Sequence, residues 1–380
     1  MAKRGQNEGS IYKAKDGRWV GCLNLGYQGG TRKRKYLYGK TRAEVSAKLT
    51  EALRNRQLGL PVSNDKITFG QFLDKWLEDS VKPSVRPRTF KSYSQLVERH
   101  IAPDLGNIKL AKLCPRDIQS LINRKLDSGL SPRSVQYIHA VIRRALVQAR
   151  KWELVPRNVA KLVDPPRTQH FEVKPLSPDQ ARTFLEAAKG DRLEALYTVA
   201  VSLGLRRGEC LALRWEDVDL EARTLRVCHT LQRVDGGGWE LAEPKSKNSR
   251  RTLGLPVFAT LALREHRKHQ LEEKMLAGPH WQDHDFVFTS KLGTPLDGQH
   301  LYFRHFKMLL RKAGLPDIRF HDLRHSCASL LLVQGVSPRV VMETLGHSQI
   351  SLTMNTYSHV MPVLMKEAAE KMDEVLGFKL

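Results

Sequence analysis

Two punctuated stretches do most to limit how this chain can fold. Leu58 to Lys66 holds Gly59, Pro61 and Asn64, and Pro165-Pro166 opens a polar run to Lys174. Proline can continue neither a helix nor a central strand, and glycine resists ordering, so both stretches read as linkers. They divide the 380 residues into three pieces, each with its own hydrophobic periodicity. The expected domains are 1–57, 67–164 and 175–380, joined by linkers 58–66 and 165–174.

Charge is distributed unevenly over these pieces. Residues 1–56 carry 14 Lys and Arg against 4 Asp and Glu, residues 66–168 carry 20 against 9, and residues 169–380 carry 29 against 26. A basic front and a nearly neutral back point to a polyanion gripped by the first two pieces, rather than to charge added for solubility. A membrane surface is the other polyanion, but no long apolar run, basic amphipathic anchor or lipidation motif supports it. The five cysteines, Cys22, Cys114, Cys210, Cys228 and Cys327, are scattered and contain no C-x-x-C pair. That argues against a disulfide framework or a cysteine zinc site and fits a reducing compartment. The first residues, Met1 to Gln6, contain no apolar segment of the signal-peptide kind, so a cytoplasmic protein is expected.

The first piece reads as a small β module covered by a helix. Ser10-Ile11-Tyr12-Lys13 is a short strand, Asp16-Gly17 a hairpin turn, Arg18 to Leu25 a second strand, and Arg32 to Tyr38 a third. Thr41 then caps a helix to about Arg56, with Val45, Leu49 and Leu53 on its apolar face. A three-stranded sheet bearing Arg18, Arg32, Lys33, Arg34 and Lys35 is of a kind that lies in a DNA major groove. The second piece reads as four helices. Thr68-x-x-Gln71 is a capping box before Phe69, Phe72, Leu73 and Trp76. A helix from Pro87 to Ile101 follows, then one after Pro115, then one from Ser131-Pro132 to about Trp152. Arg86, Arg88, Lys91, Arg143 and Arg144, with Arg150 and Lys151, form its basic outer faces, a surface suited to tracking phosphates.

In the third piece Ser177-Pro178-Asp179-Gln180 opens a helix over about 178–188, followed by another over 191–204. Strands are expected at Arg223 to Leu231 and Ser249 to Leu255, and the rest is mainly helical. An amphipathic tail carries Val363, Leu364, Ala368, Met372, Val375 and Leu376.

The chemistry concentrates between Phe320 and Tyr357. His321 and Arg324 are three apart, on one helix face, so both can point at one small anion. His347 and Tyr357 follow at Leu345-Gly346-His347 and ten residues later. Two basic groups, an imidazole and a phenol are the parts needed to attack a phosphodiester. The phenol is the candidate nucleophile, and the cations offset charge growing on the phosphoryl oxygens. A phenol has a pKa near 10, so at neutral pH it needs a proton acceptor, which histidine supplies. Other assignments stay open on the residues alone. Tyr357 could be a core tyrosine, Arg207 could bind phosphate in place of Arg206, and Lys245 could act in place of Lys247. His321 and His325 could chelate zinc, although H-E-x-x-H is absent.

Gly204-Leu205-Arg206-Arg207-Gly208-Glu209, Ser246-Lys247, His321-x-x-Arg324, Leu345-Gly346-His347 and Tyr357 resemble, in order and spacing, the catalytic motifs of the tyrosine recombinases, the phage-integrase family. The resemblance covers the whole third piece. The four-helix piece is similar to that family's SAM-like core-binding domain, and the first piece to the arm-binding domain of integrases from mobile elements. The implied fold is multidomain α+β: a three-stranded sheet plus helix, a four-helix domain, and a mainly helical catalytic domain with a small sheet, of the DNA breaking-rejoining type.

The resemblance also implies roles. Tyr357 attacks the scissile phosphate and forms a 3′-phosphotyrosyl link, while Arg206 and Arg324 bind its non-bridging oxygens. Lys247 protonates the leaving 5′-oxygen, His321 assists proton transfer at the tyrosine, His347 hydrogen-bonds the phosphate, and Glu209 buttresses the site. No metal, ATP or other cofactor is implied. The implied partners are double-stranded DNA at core and arm sites, three further copies of the chain in a tetramer, and DNA-bending and directionality factors, in the nucleoid of a bacterial host. Two other readings remain: a catalytically silent DNA-binding regulator, and a type IB topoisomerase.

Overall fold

The computed structural model describes residues 9–28, 31–57, 67–168, 175–234, 237–243, 249–346, 369, 370, 372–374, 376 and 377, with backbone alone at 25–28, 31–33 and 55–57. The chain forms two compact units, Met1–His170 and Phe171–Leu380.

The first unit begins with strands β1 (Ser10–Lys13), β2 (Trp19–Gln28) and β3 (Thr31–Gly39), antiparallel in that order. Asp16 closes the first turn by accepting the Arg18 backbone N–H at 3.1 Å. Helix α1 (Arg42–Gln57) lays Leu49 and Ala52 over Leu23, Ile11 and Leu37 on one sheet face. Cross-strand register puts Tyr12, Val20 and Tyr38 on the opposite face, where Tyr12, Tyr36 and Tyr38 are exposed and the Arg18 guanidinium lies 5.6 Å from the Tyr38 ring centre.

The helical part of this unit contains α2 (Phe69–Trp76), α3 (Pro87–Leu96), α4 (Ala102–Leu105), α5 (Pro115–Asp127) and α6 (Pro132–Lys151). The capping box starts α2: the Thr68 hydroxyl accepts from Gln71 N–H at 3.3 Å, and the Gln71 side chain accepts from Thr68 N–H at 3.1 Å. Phe69, Phe72, Leu73 and Trp76 then fall on one face and are buried. The second expected helix runs one turn past Ile101, and it does so through a widened turn at Val97–Ile101, where Ala102 N–H bonds the Val97 carbonyl five residues back. Pro103 accounts for the widening: it has no N–H to donate, and its ring would strike the Arg99 carbonyl in a regular helix. Helix α6 starts where Ser131 accepts the Ser134 N–H at 3.2 Å, and its buried stripe runs from Val135 to Ala149.

In the second unit α7 (Pro178–Ala188) and α8 (Glu194–Leu203) precede a short α9 (Arg207–Leu211). Ala195 to Val201 are all buried, so α8 is apolar around its circumference and forms the centre of the core, with α7, α10 (Val257–Ala277) and α13 (Phe320–Val333) packed around it. Strands β4 (Val218–Asp219), β5 (Thr224–Val227) and β8 (Arg251–Gly254) make one antiparallel sheet, and β6 (Thr230–Arg233) and β7 (Trp239–Ala242) make a separate hairpin. The single strand expected from Arg223 to Leu231 is therefore two. The chain turns away at Cys228 and His229 because its second half pairs with β7, a strand hidden in sequence behind the adjacent Gly236-Gly237-Gly238 run. Helices α11 (Gly298–His300), α12 (Lys307–Lys312) and α14 (Pro338–Leu345) complete the unit, the last packing Val341 and Leu345 on Ala328 and Leu332 of α13. Of the expected tail stripe, Val363, Leu364, Ala368 and Val375 lie outside the described residues, and Met372 and Leu376 are exposed. Among the described residues no helix is long and apolar enough to cross a membrane.

Candidate active site

The site is built where α8, α13 and α14 end or begin. Helix α8 stops at Gly204, whose left-handed backbone (φ 61°) turns the chain sharply. A Cβ there would sit 2.6 Å from Leu345 Cδ2 and 3.2 Å from Cys327 Sγ, so any larger residue must displace its neighbours as well as strain the backbone. Two residues later Arg206 stands at the start of α9. The Glu209 carboxylate reaches back to it twice, accepting its backbone N–H at 3.0 Å and its Nη1–H at 2.6 Å. Arg206 Nη2 also points to the Gly346 carbonyl at 3.4 Å. Arg207, one residue on, turns away and donates to the Gly298 carbonyl at 3.0 Å.

Burial alone would raise the Glu209 carboxyl, but Arg251 and then Arg206 override it and hold the group below the ordinary carboxylate range. Glu209 is thus a buried anion clamped between two arginines, with Arg251 Nη2 donating to Oε2 at 3.0 Å. Arg251 escaped the sequence reading. Its signal was its place two residues before Leu253 and four before Leu255, on the strand face that both bury.

Helix α13 supplies the other half. Asp322 pins its first turn, accepting from the Arg319 backbone at 2.7 Å and from Arg319 Nη2 at 2.8 Å. Burial alone would raise this carboxyl, and Arg319 instead holds it low. The turn so fixed carries His321 and Arg324. Arg324 is 1% exposed and donates Nη1–H to the Gly204 carbonyl at 2.8 Å and Nη2–H to the Leu345 carbonyl. One buried guanidinium therefore joins the carboxyl ends of α8 and α14, where helix dipoles favour a cation. His321 lies exposed at the surface of α13, yet is partly desolvated by the protein around it. That desolvation, followed by His325, Arg324 and Arg206, pushes its pKa down to about 4. The ring is neutral at physiological pH and can accept a hydrogen bond, as a weaker base than an ordinary imidazole. The His325 ring lies 5.0 Å away, centre to centre.

Arg206, Glu209, His321 and Arg324 are thus gathered at one place, at the turn of Leu345 and Gly346. Lys247, Lys245, His347 and Tyr357 lie outside the described residues. In the first unit, strand alternation puts exposed Arg34 with Tyr36 and Tyr38 on the open sheet face, whereas half-buried Lys35 shares the helix-covered face with Leu37. The side chains of Arg32 and Lys33 lie outside the described residues. Arg86, Arg88, Arg143 and Arg144 are exposed and Lys91 half-exposed. Arg143 and Arg144 line an open groove of about 960 Å³ along α6, together with Arg133 and Tyr137. Arg144 lies over Tyr93 and donates to its hydroxyl at 3.0 Å. Arg133 and Tyr137 were not singled out in sequence.

Two arginines and a histidine gathered where a core helix ends suit a protein that acts on phosphodiesters, and comparison with known proteins supplies the family. The Phage integrase family pattern matches residues 174–362, and that of the Phage integrase N-terminal SAM-like domain matches residues 68–126. The chain belongs to the phage-integrase family: it is a site-specific tyrosine recombinase of the kind that phages and other mobile elements carry. It is 33% identical to a XerC-like tyrosine recombinase of Caldanaerobacter subterraneus subsp. tengcongensis, over 90% of this chain and 92% of the relative. It is 32% identical to an integrase of Streptomyces ambofaciens, over 99% and 98%. The Tn1549 transposon integrase in complex with transposon right end DNA shares the fold, with a TM-score of 0.67 and 22% identity over 80% of this chain and 100% of that one. A lambda integrase tetramer bound to a Holliday junction gives 0.55 and 18% over 93% and 96%.

Proposed function

We propose that Tyr357 is the nucleophile of strand cleavage and that Arg206 and Arg324 hold the non-bridging oxygens of the scissile phosphate. The observation that carries this reading is that the two guanidiniums bond the adjacent carbonyls of Leu345 and Gly346, immediately before His347. Arginine keeps its charge and offers a planar fork suited to phosphate oxygens. The tyrosine oxygen attacks phosphorus as its proton passes to neutral His321. The bond to the 5′-oxygen breaks, and that oxygen leaves with a proton from Lys247. His347 hydrogen-bonds the phosphate, and Glu209 keeps Arg206 aimed. Rejoining runs the same steps backwards with a 5′-hydroxyl as nucleophile. One phosphoester is exchanged for another, so no ATP is consumed.

In this reading residues 1–57 bind arm sites, 67–164 bind core sites, and 175–380 form the catalytic domain. The substrate is double-stranded DNA, bound by four copies of the chain with DNA-bending and directionality factors, in the bacterial cytoplasm. The exposed tyrosine and arginine sheet face and the basic α6 groove support the DNA reading. So do the DNA complexes of the Tn1549 and lambda integrases and the tetrameric state of the latter.

The test is trapping in EDTA on supercoiled DNA carrying the regions that flank the chain's own gene. An SDS-resistant protein–DNA adduct from the native chain and none from Tyr357→Phe is expected. Tight binding with neither adduct nor nick would favour a catalytically silent regulator. Relaxation of any supercoiled DNA, without site preference, would favour the topoisomerase reading.

A further inference from the structure

Arg251 opens β8, and its side chain is 7% exposed. A guanidinium enters a protein interior only when its N–H groups are met, and here three different segments meet them. Nη2 donates to Glu209 Oε2 at 3.0 Å, Nε to the Thr344 carbonyl at 2.6 Å, and Nη1 to the Ser249 carbonyl at 3.1 Å. Glu209 in turn holds Arg206 through its other oxygen at 2.6 Å. Thr344 lies in the last turn of α14, two residues before the Gly346 carbonyl that Arg206 approaches and three before His347. Ser249 is the second residue after Lys247.

We infer that Arg251 is a positioning residue for strand cleavage: it locks the carboxylate that aims Arg206 to the helix end that leads into His347. The inference rests on the strand-cleavage reading above. Arg206 itself makes a second link between Glu209 and the end of α14, through the Gly346 carbonyl. The fork is what makes the arrangement possible, since three separated nitrogens diverge to three acceptors. A lysine ammonium at the same position is a single point and can satisfy Glu209 without also holding Thr344. Arg251 reaches no substrate atom in this scheme and acts only through Arg206 and α14.

The experiment uses the full chain and the supercoiled flanking-region DNA described above. It measures the single-turnover rate of adduct formation between pH 5 and 9, alongside DNA affinity and thermal unfolding. Arg251→Gln is expected to slow adduct formation roughly a hundredfold, the effect of a small misalignment at a reacting centre, with DNA affinity unchanged. Its rate should also fall away at a higher pH than the native rate does. Glu209 would have lost the first cation that offsets its burial, and would take up a proton sooner. Arg251→Lys should restore the native pH limb but only part of the rate. Arg264→Gln, which breaks an exposed pair with Glu221, should leave rate and pH profile alone.

If Arg251→Gln does not fold, the same comparison is made on a Glu209→Gln background, where no buried carboxylate is left unpaired. There the second substitution should slow adduct formation far less than roughly a hundredfold, and a full hundredfold loss overturns the assignment. A folded Arg251→Gln that forms adduct at the native rate and pH profile overturns the assignment, as would effects of Glu209→Gln and Arg251→Gln that simply multiply. No adduct from the native chain would instead refute the cleavage reading, and the assignment with it.

Discussion

Gly204→Ala is expected to destabilise the second unit by about 2–5 kcal/mol, summing a left-handed-backbone cost of about 1–2 kcal/mol and an overpacking cost of about 1–3 kcal/mol. The first part follows from φ 61°, where a Cβ crowds the carbonyl oxygen. The second follows from the neighbours. A new Cβ would lie 2.6 Å from Leu345 Cδ2 and 3.2 Å from Cys327 Sγ, inside ordinary carbon contact. Both neighbours are buried, Leu345 at 0% and Cys327 at 2% exposed, so a shift of either disturbs the packing around it. For a unit of this size about 1 kcal/mol lowers Tm by about 2–4 °C, so a fall of roughly 4–20 °C is expected by calorimetry or circular dichroism. Gly190→Ala is the matched control, since Gly190 also has a positive φ (75°) but nothing lies within 4 Å of the place its methyl would take. It carries the backbone cost alone, so the difference between the two variants reads the packing at the site. The pushed Leu345 also carries the carbonyl that Arg324 holds, so adduct formation should fall further than stability explains. A Gly204→Ala protein that melts no lower than Gly190→Ala would refute the reasoning.

Three further outcomes are expected. With His321 lowered to about 4, adduct formation should show no step from this residue near pH 6.5 and should be lost only as pH falls through about 4. Between those values the unfolded histidine takes up a proton that the folded one refuses, so stability falls as pH falls. His321→Asn should flatten that part of the Tm-against-pH curve, and an unchanged slope would contradict a depressed histidine. Replacing Arg143 and Arg144 by Gln should weaken DNA binding about equally on all sequences and reduce the slope of log K against log salt by about 0.9 per lost phosphate contact. An unchanged slope in a salt titration would remove this groove from the DNA surface. Thr68→Ala should cost about 1 kcal/mol in urea unfolding, with Thr68→Ser close to native.

Sequence and structure divide at identifiable residues. Helix starts were legible because their chemistry is local: Thr68, Ser131 and Ser177 each bond an N–H three residues ahead, and all three begin helices in the structure. The buried stripes of α2 and α6 were legible for the same reason, since 3.6-residue periodicity needs only the neighbouring sequence. The break of the expected Arg223–Leu231 strand was not, because which strand each half pairs with depends on residues elsewhere in the chain. At the site, spacing alone put His321 and Arg324 on one helix face, and the family motifs singled out Arg206 and Glu209.

Only the tertiary structure decided what those groups face. Arg206 turns to Glu209 and Gly346 while Arg207 turns to Gly298, a choice made by contacts 91 and 140 residues away along the chain. Arg324 is buried between two helix ends, and Arg251 joins three segments that no sequence window contains together. Local propensity and periodicity are written in adjacent residues. The direction of a guanidinium is set by which distant carbonyls and carboxylates the folded core brings within reach.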